Sequence, residues 1–405
     1  MSSKTRPKVL VTYSWCRTSY IALESLAKAG YQVYACDPSP WTMGRFSRHA
    51  SGYDQVSHPF RSPEQFIADL EAVIKKRKID ILLPIHEDSL VIAQYRRRLP
   101  QDLLVICPPY KNLARAMDKD EIINIAERAG VGVPRKIAPS SLDEVASAAA
   151  RLGFPLIIKT RKGNSGKGVF KADSAEEAER IFRDTVHRFG LTEANLPILE
   201  EYIEGDLYGS CFLAKEGKLR ACFVEKYLRW KESKFGTSVL REPSRWDLLE
   251  EYTKKMAEAL GWTGIGHFDF IATPNRSQAF MVEMNPRFWG ALNLAVQNGY
   301  NFPLGLVSMY ENGEPVREAF SPKKKQRSSL WIVGEIIAAM AEIRDGKWLA
   351  PVQSLQRIFF PSEDIFYDDF RWSDPLPLIM EMIYYGYNFF RSSYNINPVD
   401  IEMMQ

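Results

Sequence analysis

The chain has 405 residues, 45% hydrophobic and 25% charged, with a formal net charge of +3. That length predicts two or three domains, the composition is that of a soluble globular protein, and so small a charge disfavours nucleic acid as a partner. Five scattered cysteines with no CxxC spacing argue against a disulfide framework and fit a reducing compartment. Five equally scattered histidines argue against a zinc site. The start, MSSKTRPKVL, has no apolar signal-peptide core, and no apolar run reaches the ~18 residues of a spanning helix. The expected location is cytoplasmic.

KVLVTY (Lys8 to Tyr13) reads as a buried strand, and SYIALESLAKAG follows with helical spacing and a terminal glycine. YQVYACD predicts a second strand, SPEQFIADLEAVIKKRK an amphipathic helix, IDILLPI a third strand and LLVICPP a fourth. This alternation predicts a parallel sheet with helices on both faces, ending near Pro109. The turn SWCRTS (Ser14 to Ser19) stands where a dinucleotide fold would carry GxGxxG, and it holds no glycine. A nicotinamide-binding reading thereby loses its main support.

A second block opens at MDKDEIINIAERAG, with a helix from Lys119 to Ala129. SLDEVASAAARLG predicts another helix, FPLIIKT a strand, and SAEEAERIFRDTVHRFG a third helix. PILEEYIEGDLYGSCFLA and GKLRACFVEKYLRW suggest strands of an antiparallel sheet. WDLLEEYTKKMAEALGW is helical, and GIGHFDFIAT and SQAFMVEMNPRF form a hairpin around PNRSQ (Pro274 to Gln278). From SPKKKQRSS the tail is mixed: the helix GEIIAAMAEIRDG, then the aromatic run LPLIMEMIYYGYNFF. That run is too short to span a bilayer. It is expected to pack on the main body or on a second copy in a homodimer, the alternative being peripheral contact with a membrane surface.

The chemistry lies in the second block. Strand side chains alternate faces, so Glu283, Asn285 and, if the strand continues, Arg287 point one way. On the partner strand Asp269 is a second carboxylate, which the hairpin can bring beside Glu283. Two carboxylates and an amide oxygen suit Mg²⁺ holding nucleotide phosphates, and a guanidinium one step beyond can bind the oxygens of a transferring phosphoryl group. A surface salt-bridged hairpin is the plain alternative, but the apolar flanks favour burial, where two like charges need a cation. KGNSGKG (Lys162 to Gly168) can close backbone N–H groups over an anion, with Ser165 adding a donor. It is not a Walker A loop, because Gly168 follows Lys167 where Ser or Thr would be required. Lys159 ends a strand and can meet phosphate as a point charge. Lys119 starts a helix, where a cation opposes the dipole unless an anion is bound. The backbone of Glu201 and Ile203 in ILEEYIEGD can match an adenine edge, and Asp206 can accept from ribose hydroxyls.

Lys119, Lys159 with its glycine-rich flap, LEEYIEGD, GHFDF and EMNPRFWG occur in an order that resembles the ATP-grasp superfamily over about residues 8–312. The resemblance is nearest to carbamoyl-phosphate-synthase-like carboxylate–amine ligases. It implies an α/β plus α+β architecture: an N-terminal parallel-sheet pre-ATP-grasp domain (1–110), a two-lobed ATP-grasp fold (111–318, lobes dividing near 197/198) and a mixed C-terminal extension (319–405). It also implies ATP with one or two Mg²⁺, or Mn²⁺. Lys119 and Lys159 would contact phosphates, with Gly163, Ser165, Gly166 and Gly168 over them. Glu200, Glu201 and Ile203 would line the adenine pocket. Asp269, Glu283 and Asn285 would hold metal, and Arg287 would stabilise the transition state. Many relatives carry Glu where this chain has Leu207, which leaves Asp206 as the nearest ribose ligand. WKESKFGTS (Trp230 to Ser238) replaces the Gly-Gly-Ser-like substrate loop common in relatives. The implied activity joins a small-molecule acid to an amine or amino acid through an acyl-phosphate, releasing ADP. The alternatives are a kinase or carboxylase forming no amide, and a non-catalytic nucleotide-binding regulator. Arg17, His86 and Glu87, at the carboxyl ends of strands, are candidates for acceptor contacts, while His267 and Trp289 are expected in the core.

Overall fold

The computed structural model describes residues 7–163, 166–231 and 236–391. Three sheets organise it. The first is fully parallel: β1 (Lys8–Val11), β2 (Gln32–Asp37), β3 (Gly52–Gln55), β4 (Ile81–Leu83) and β5 (Leu104–Val105), in the order β3-β2-β1-β4-β5. The sequence pattern anticipates four of these strands. The fifth, β3, is a short edge strand whose GYDQ carries no apolar alternation, so periodicity could not reveal it.

The second sheet is antiparallel, in the order β6-β9-β7-β8: β6 (Lys136–Ile137), β7 (Leu156–Lys159), β8 (Val169–Ala172) and β9 (Ile198–Glu201). β7 and β8 form a hairpin whose connection is the glycine-rich segment. Gly163, Gly166 and Gly168 all have positive φ there, a region closed to most side chains. A Cβ on Gly168 would also stand 2.6 Å from the Thr160 hydroxyl. Ser165 lies outside the described residues.

The third sheet has seven strands: β10 (Asp206–Lys215), β11 (Lys218–Trp230), β12 (Ser238–Ser244), β13 (Gly264–Ala272), β14 (Ala279–Asn285), β15 (Ser328–Leu330) and β16 (Ile365–Tyr367), ordered β14-β13-β10-β11-β12-β15-β16. One face packs into a core where the Phe212 and Phe268 rings stack at 4.9 Å; the other face turns toward a cavity. Strands β15 and β16 show that the C-terminal extension adds to this sheet. A fully buried ion pair, Arg241 to Asp368, ties the two together.

Helix ends follow local chemistry. The helix Lys119–Arg128 starts at Asp118, whose carboxylate accepts from the Asp120 and Glu121 amides at 3.0 and 3.2 Å. The helix Ala175–Phe189 starts at a Ser174 cap and stops at Gly190 in the left-handed conformation. In the extension, the helix Leu376–Arg391 lies against the main body: Trp15 stacks on Tyr384 at 4.4 Å, and Trp331 Nε1 donates to Glu381 at 3.1 Å. Its outer face leaves Ile379, Met382, Ile383 and Tyr387 exposed. Among the described residues no helix is long and apolar enough to cross a membrane.

Candidate functional site

The three sheets meet around one cavity of ≈ 860 Å³, toward the upper end of the ~300–1,000 Å³ usual for small-molecule sites. β13 and β14 run antiparallel with Asp269 directly opposite Glu283 and His267 opposite Asn285. His267, Asp269 and Ile271 alternate with Phe268 and Phe270, so the former line the cavity and the latter fill the core. The hairpin expected from the sequence brings the two carboxylates together with the help of a β-bulge at Val282, which shifts the register by one residue between Phe270 and Asp269. The Asn285 amide donates to Asp269 Oδ2 at 3.0 Å and to Glu283 Oε1 at 3.3 Å, holding both.

The strand ends at Asn285, because Pro286 has no N–H to extend the ladder. Arg287 nonetheless lines the cavity; its Nε donates to Glu87 at 2.8 Å and its Nη1 to the Phe288 carbonyl at 2.9 Å. Glu87 thus contacts the site through Arg287. His86 lines the cavity with its ring stacked on Tyr13 at 4.4 Å, and burial holds its pKa well below the ordinary value. Arg17 also lines the cavity, its guanidinium 3.7 Å over the Trp331 ring.

Both sequence-selected lysines are buried at the site. Lys159 does not mark an exit to solvent: its Nζ donates to the Val282 carbonyl at 2.8 Å and pairs with Glu200 at 2.7 Å. Lys119 Nζ donates to the Gly163 carbonyl at 2.6 Å and lies 3.4 Å from Glu283. The helix-start cation is therefore compensated by a loop carbonyl and a carboxylate. Gly166 lines the cavity, whereas Gly163 borders a small side pocket behind Glu283 and Gly168 packs on Thr160.

Glu200, Glu201 and Ile203 all line the cavity, the Glu201 carboxylate accepting from Arg135. Asp206 is not brought there. Its carboxylate pairs with Lys226 at 2.7 Å and its neighbour Leu207 faces the cavity instead. Strand parity explains this: the cavity face of β10 carries Leu207 and Gly209, one residue out of step with Asp206.

Electrostatics divide the carboxylate pair. Burial, with Glu283 adding to it, pushes the Asp269 carboxyl up to about 6, against the opposing influence of His267. Burial also acts to raise Glu283, but Lys119 and Lys159 outweigh it and hold that carboxyl below its ordinary value. The residues therefore fit a divalent cation. Two facing acids with an amide beside them form a hard-oxygen donor set, and one of the acids is penalised for its charge in the cation's absence.

Sequence reasoning expected His267 and Trp289 in the core. Both are buried, and Trp289 packs in the core on Phe302 at 5.0 Å; both also line the cavity, their rings stacked at 5.8 Å, and the Tyr227 hydroxyl contacts His267 Nε2 at 3.0 Å while donating to Asp269 at 2.8 Å. Glu225, Tyr227, Tyr384 and Tyr385 line the cavity too and had not been singled out. Period-two alternation along β11 could have flagged Glu225 and Tyr227; no local signal connects Tyr384 or Tyr385 to the site.

Residues 116–291 match the family model of the ATP-grasp domain. The chain is 24% identical over 304 residues to the carbamoyl phosphate synthase large chain of Pyrococcus furiosus, a match covering 71% of this chain and 28% of that one. The chain thus spans little more than a quarter of that relative's length. Its fold superposes on biotin carboxylase from Campylobacter jejuni with a TM-score of 0.65 at 18% identity, covering 79% of this chain and 75% of the other. On L-amino acid ligase from Bacillus licheniformis the TM-score is 0.61 at 15% identity, covering 80% and 79%. With its facing acids, paired lysines and glycine-rich hairpin gathered on that fold, the chain carries an ATP-grasp domain over residues 116–291 and is similar to a carbamoyl phosphate synthase large chain in sequence and to a biotin carboxylase in fold.

Proposed function

We propose that this protein is an ADP-forming carboxylate–amine ligase acting through an acyl-phosphate. The observation that carries the reading is the Asp269–Glu283 pair, in register across two strands and facing a cavity that Lys119, Lys159 and Arg287 also line. A similar fold in an L-amino acid ligase supports it.

In this reading Glu201 and Ile203 frame the adenine, and Lys119, Lys159 and the glycine-rich hairpin hold the phosphates. When bound by Asp269, Glu283 and Asn285, Mg²⁺ supplies neutralisation of phosphate charge. A substrate carboxylate oxygen attacks the γ-phosphorus in line, and the bridging oxygen leaves with ADP. Arg287, oriented by Glu87, faces the charge on the transferred group. The amine nitrogen then attacks the acyl carbon. The C–O bond to phosphate breaks, and phosphate and one proton are released with the amide. No enzyme nucleophile is required.

The test is an ADP-release screen of carboxylic acids paired with amines, with products read by mass spectrometry. An amide is expected. ADP release with bicarbonate and no amide would select the carboxylase chemistry named for the biotin carboxylase neighbour. A stable phosphorylated product would select a kinase, and tight ATP binding without ADP release a regulator.

The placement of Asp206 gives a second expectation. Its exposed pair with Lys226 is worth at most ~1 kcal/mol, so Asp206→Ala should change the KM for ATP by less than about fivefold. A larger rise in steady-state assays would restore a ribose role to Asp206.

A further inference from the structure

One row of residues crosses the large sheet. Gly209 on β10 is in register with Glu225 on β11 and with Asp269 on β13, and Asp269 is in register with Glu283 on β14. Neighbouring strands lie ~4.8 Å apart, so Glu225 stands roughly 10 Å along the row from Asp269. The gap exists because position 209 has no side chain. A Cβ there would lie 2.5 Å from His267 Nε2 and 2.6 Å from the Tyr227 hydroxyl, which occupy the space above it.

Glu225 is only 1% exposed, yet it lines the cavity. Among the described residues neither of its carboxylate oxygens has a hydrogen-bond partner. The nearest basic nitrogen is His267 Nε2 at 3.6 Å, which already contacts the Tyr227 hydroxyl at 3.0 Å. Against the opposing effect of burial, Asp269 and Glu225 together raise the His267 pKa, so the imidazole offsets part of the Glu225 charge, but at 3.6 Å it makes no hydrogen bond and both carboxylate oxygens still lack a donor. The complement is a group with positive charge and several N–H donors. A metal is the weaker candidate. The ligand atoms of Cys211, Glu225 and His267 lie within 4.8 Å of one another, but Cys211 is fully buried in the apolar core and does not line the cavity, so the three do not open onto it as a set. One carboxylate alone is too few hard donors for Mg²⁺.

The same cavity is walled by aromatic rings from three parts of the chain: Tyr13 and Trp15 from the N-terminal turn, Trp230 from β11, and Tyr384 and Tyr385 from the C-terminal helix. These present apolar faces that can also attract a cation. Resting on the ligase reading above and deepening it, we propose that Glu225 anchors the ammonium of the amine substrate and accepts the proton the nitrogen must lose before it attacks the acyl carbon. That amine is carried on an aromatic or extended apolar group that lies against the aromatic wall which the N-terminal turn and the C-terminal helix build together, Trp15 being stacked on Tyr384. The extension thereby helps determine which amine is accepted.

The test is direct binding by calorimetry, using tryptamine and 2-phenylethylamine as probes and their neutral counterparts tryptophol and 2-phenylethanol as controls. Wild type, Glu225→Gln and Glu225→Asp are each titrated with and without a Mg²⁺-bound non-hydrolysable ATP analogue. At least one amine should bind wild type tenfold or more tightly than its alcohol. Glu225→Gln should abolish that preference, Glu225→Asp should restore part of it, and the nucleotide affinity should stay the same in all three. Amines binding no better than alcohols, no amine binding at millimolar concentration, or an undiminished preference in Glu225→Gln would each overturn the proposal. Failure of wild type to bind the nucleotide would count against the ligase reading alone, since the amine titrations without nucleotide still decide the role of Glu225.

Discussion

Arg287→Ala is expected to lower kcat by about 10²–10³-fold, the range for loss of one oxyanion donor, on the acid–amine pair that the ADP-release screen identifies. The affinity for Mg²⁺-bound nucleotide should hardly change. The guanidinium is only partly exposed, and it is held by Glu87 from the N-terminal sheet's loop and by the Phe288 carbonyl. It is therefore oriented before substrate arrives, as a group acting on developing charge must be. Single-turnover kinetics and equilibrium nucleotide binding separate the two effects. A fall of less than tenfold, or a matching loss of nucleotide affinity, would remove the transition-state role. Removing Arg287 also takes away the guanidinium that pairs with Glu87 at 2.8 Å, so some loss of stability is expected. Arg287→Lys is the control: it keeps the charge but loses the fork geometry, and it should recover stability more fully than turnover.

The parts of the site legible in the sequence are those set by local rules. Asp269 and Glu283 were singled out because alternation and the PNRSQ turn suggest a hairpin; the β-bulge between Asp269 and Phe270, without which Asp269 would stand opposite Val282, has no signal in the sequence pattern. The helix at Lys119 was legible from its cap and its spacing. Arg287 was reached by an extrapolation that the fold does not make, since the strand stops before Pro286, yet the chain still delivers its side chain to the cavity. Asp206 stands one residue out of step with Leu207, which lines the cavity, and a step of one residue exchanges one face of a strand for the other. Alternation along β11 could have flagged Glu225, but Tyr384 and Tyr385 depend on which strands and helices become neighbours across long separations. No local pattern encodes that, and the extension's contribution to the cavity was accordingly invisible before the fold was known.

Asp269→Asn should show two effects of opposite sign, which together distinguish a ligand-binding acid from a structural one. The affinity for Mg²⁺, measured through Mg²⁺-dependent nucleotide binding, should fall by about 100-fold or more, above the ~10–100-fold typical of residues that only support a metal ligand. The metal-free protein should be at least as stable as wild type at pH 7. Burial and the facing Glu283 raise the Asp269 carboxyl to about 6, above its ~3.9 in an unfolded chain. Its ionised form therefore costs folding free energy above about pH 6, and that cost is relieved as the pH falls from there toward about 4. An amide removes the charge while its oxygen can still accept from Tyr227, so the variant's advantage at pH 7 should shrink over the same interval. Denaturant melts in EDTA across pH 4 to 8 measure this arm. A structural acid would behave oppositely, with stability lost on substitution and nucleotide binding falling only in proportion to the unfolded fraction. If Asp269→Asn destabilises the metal-free protein and leaves Mg²⁺ dependence intact, the two facing carboxylates do not hold a metal.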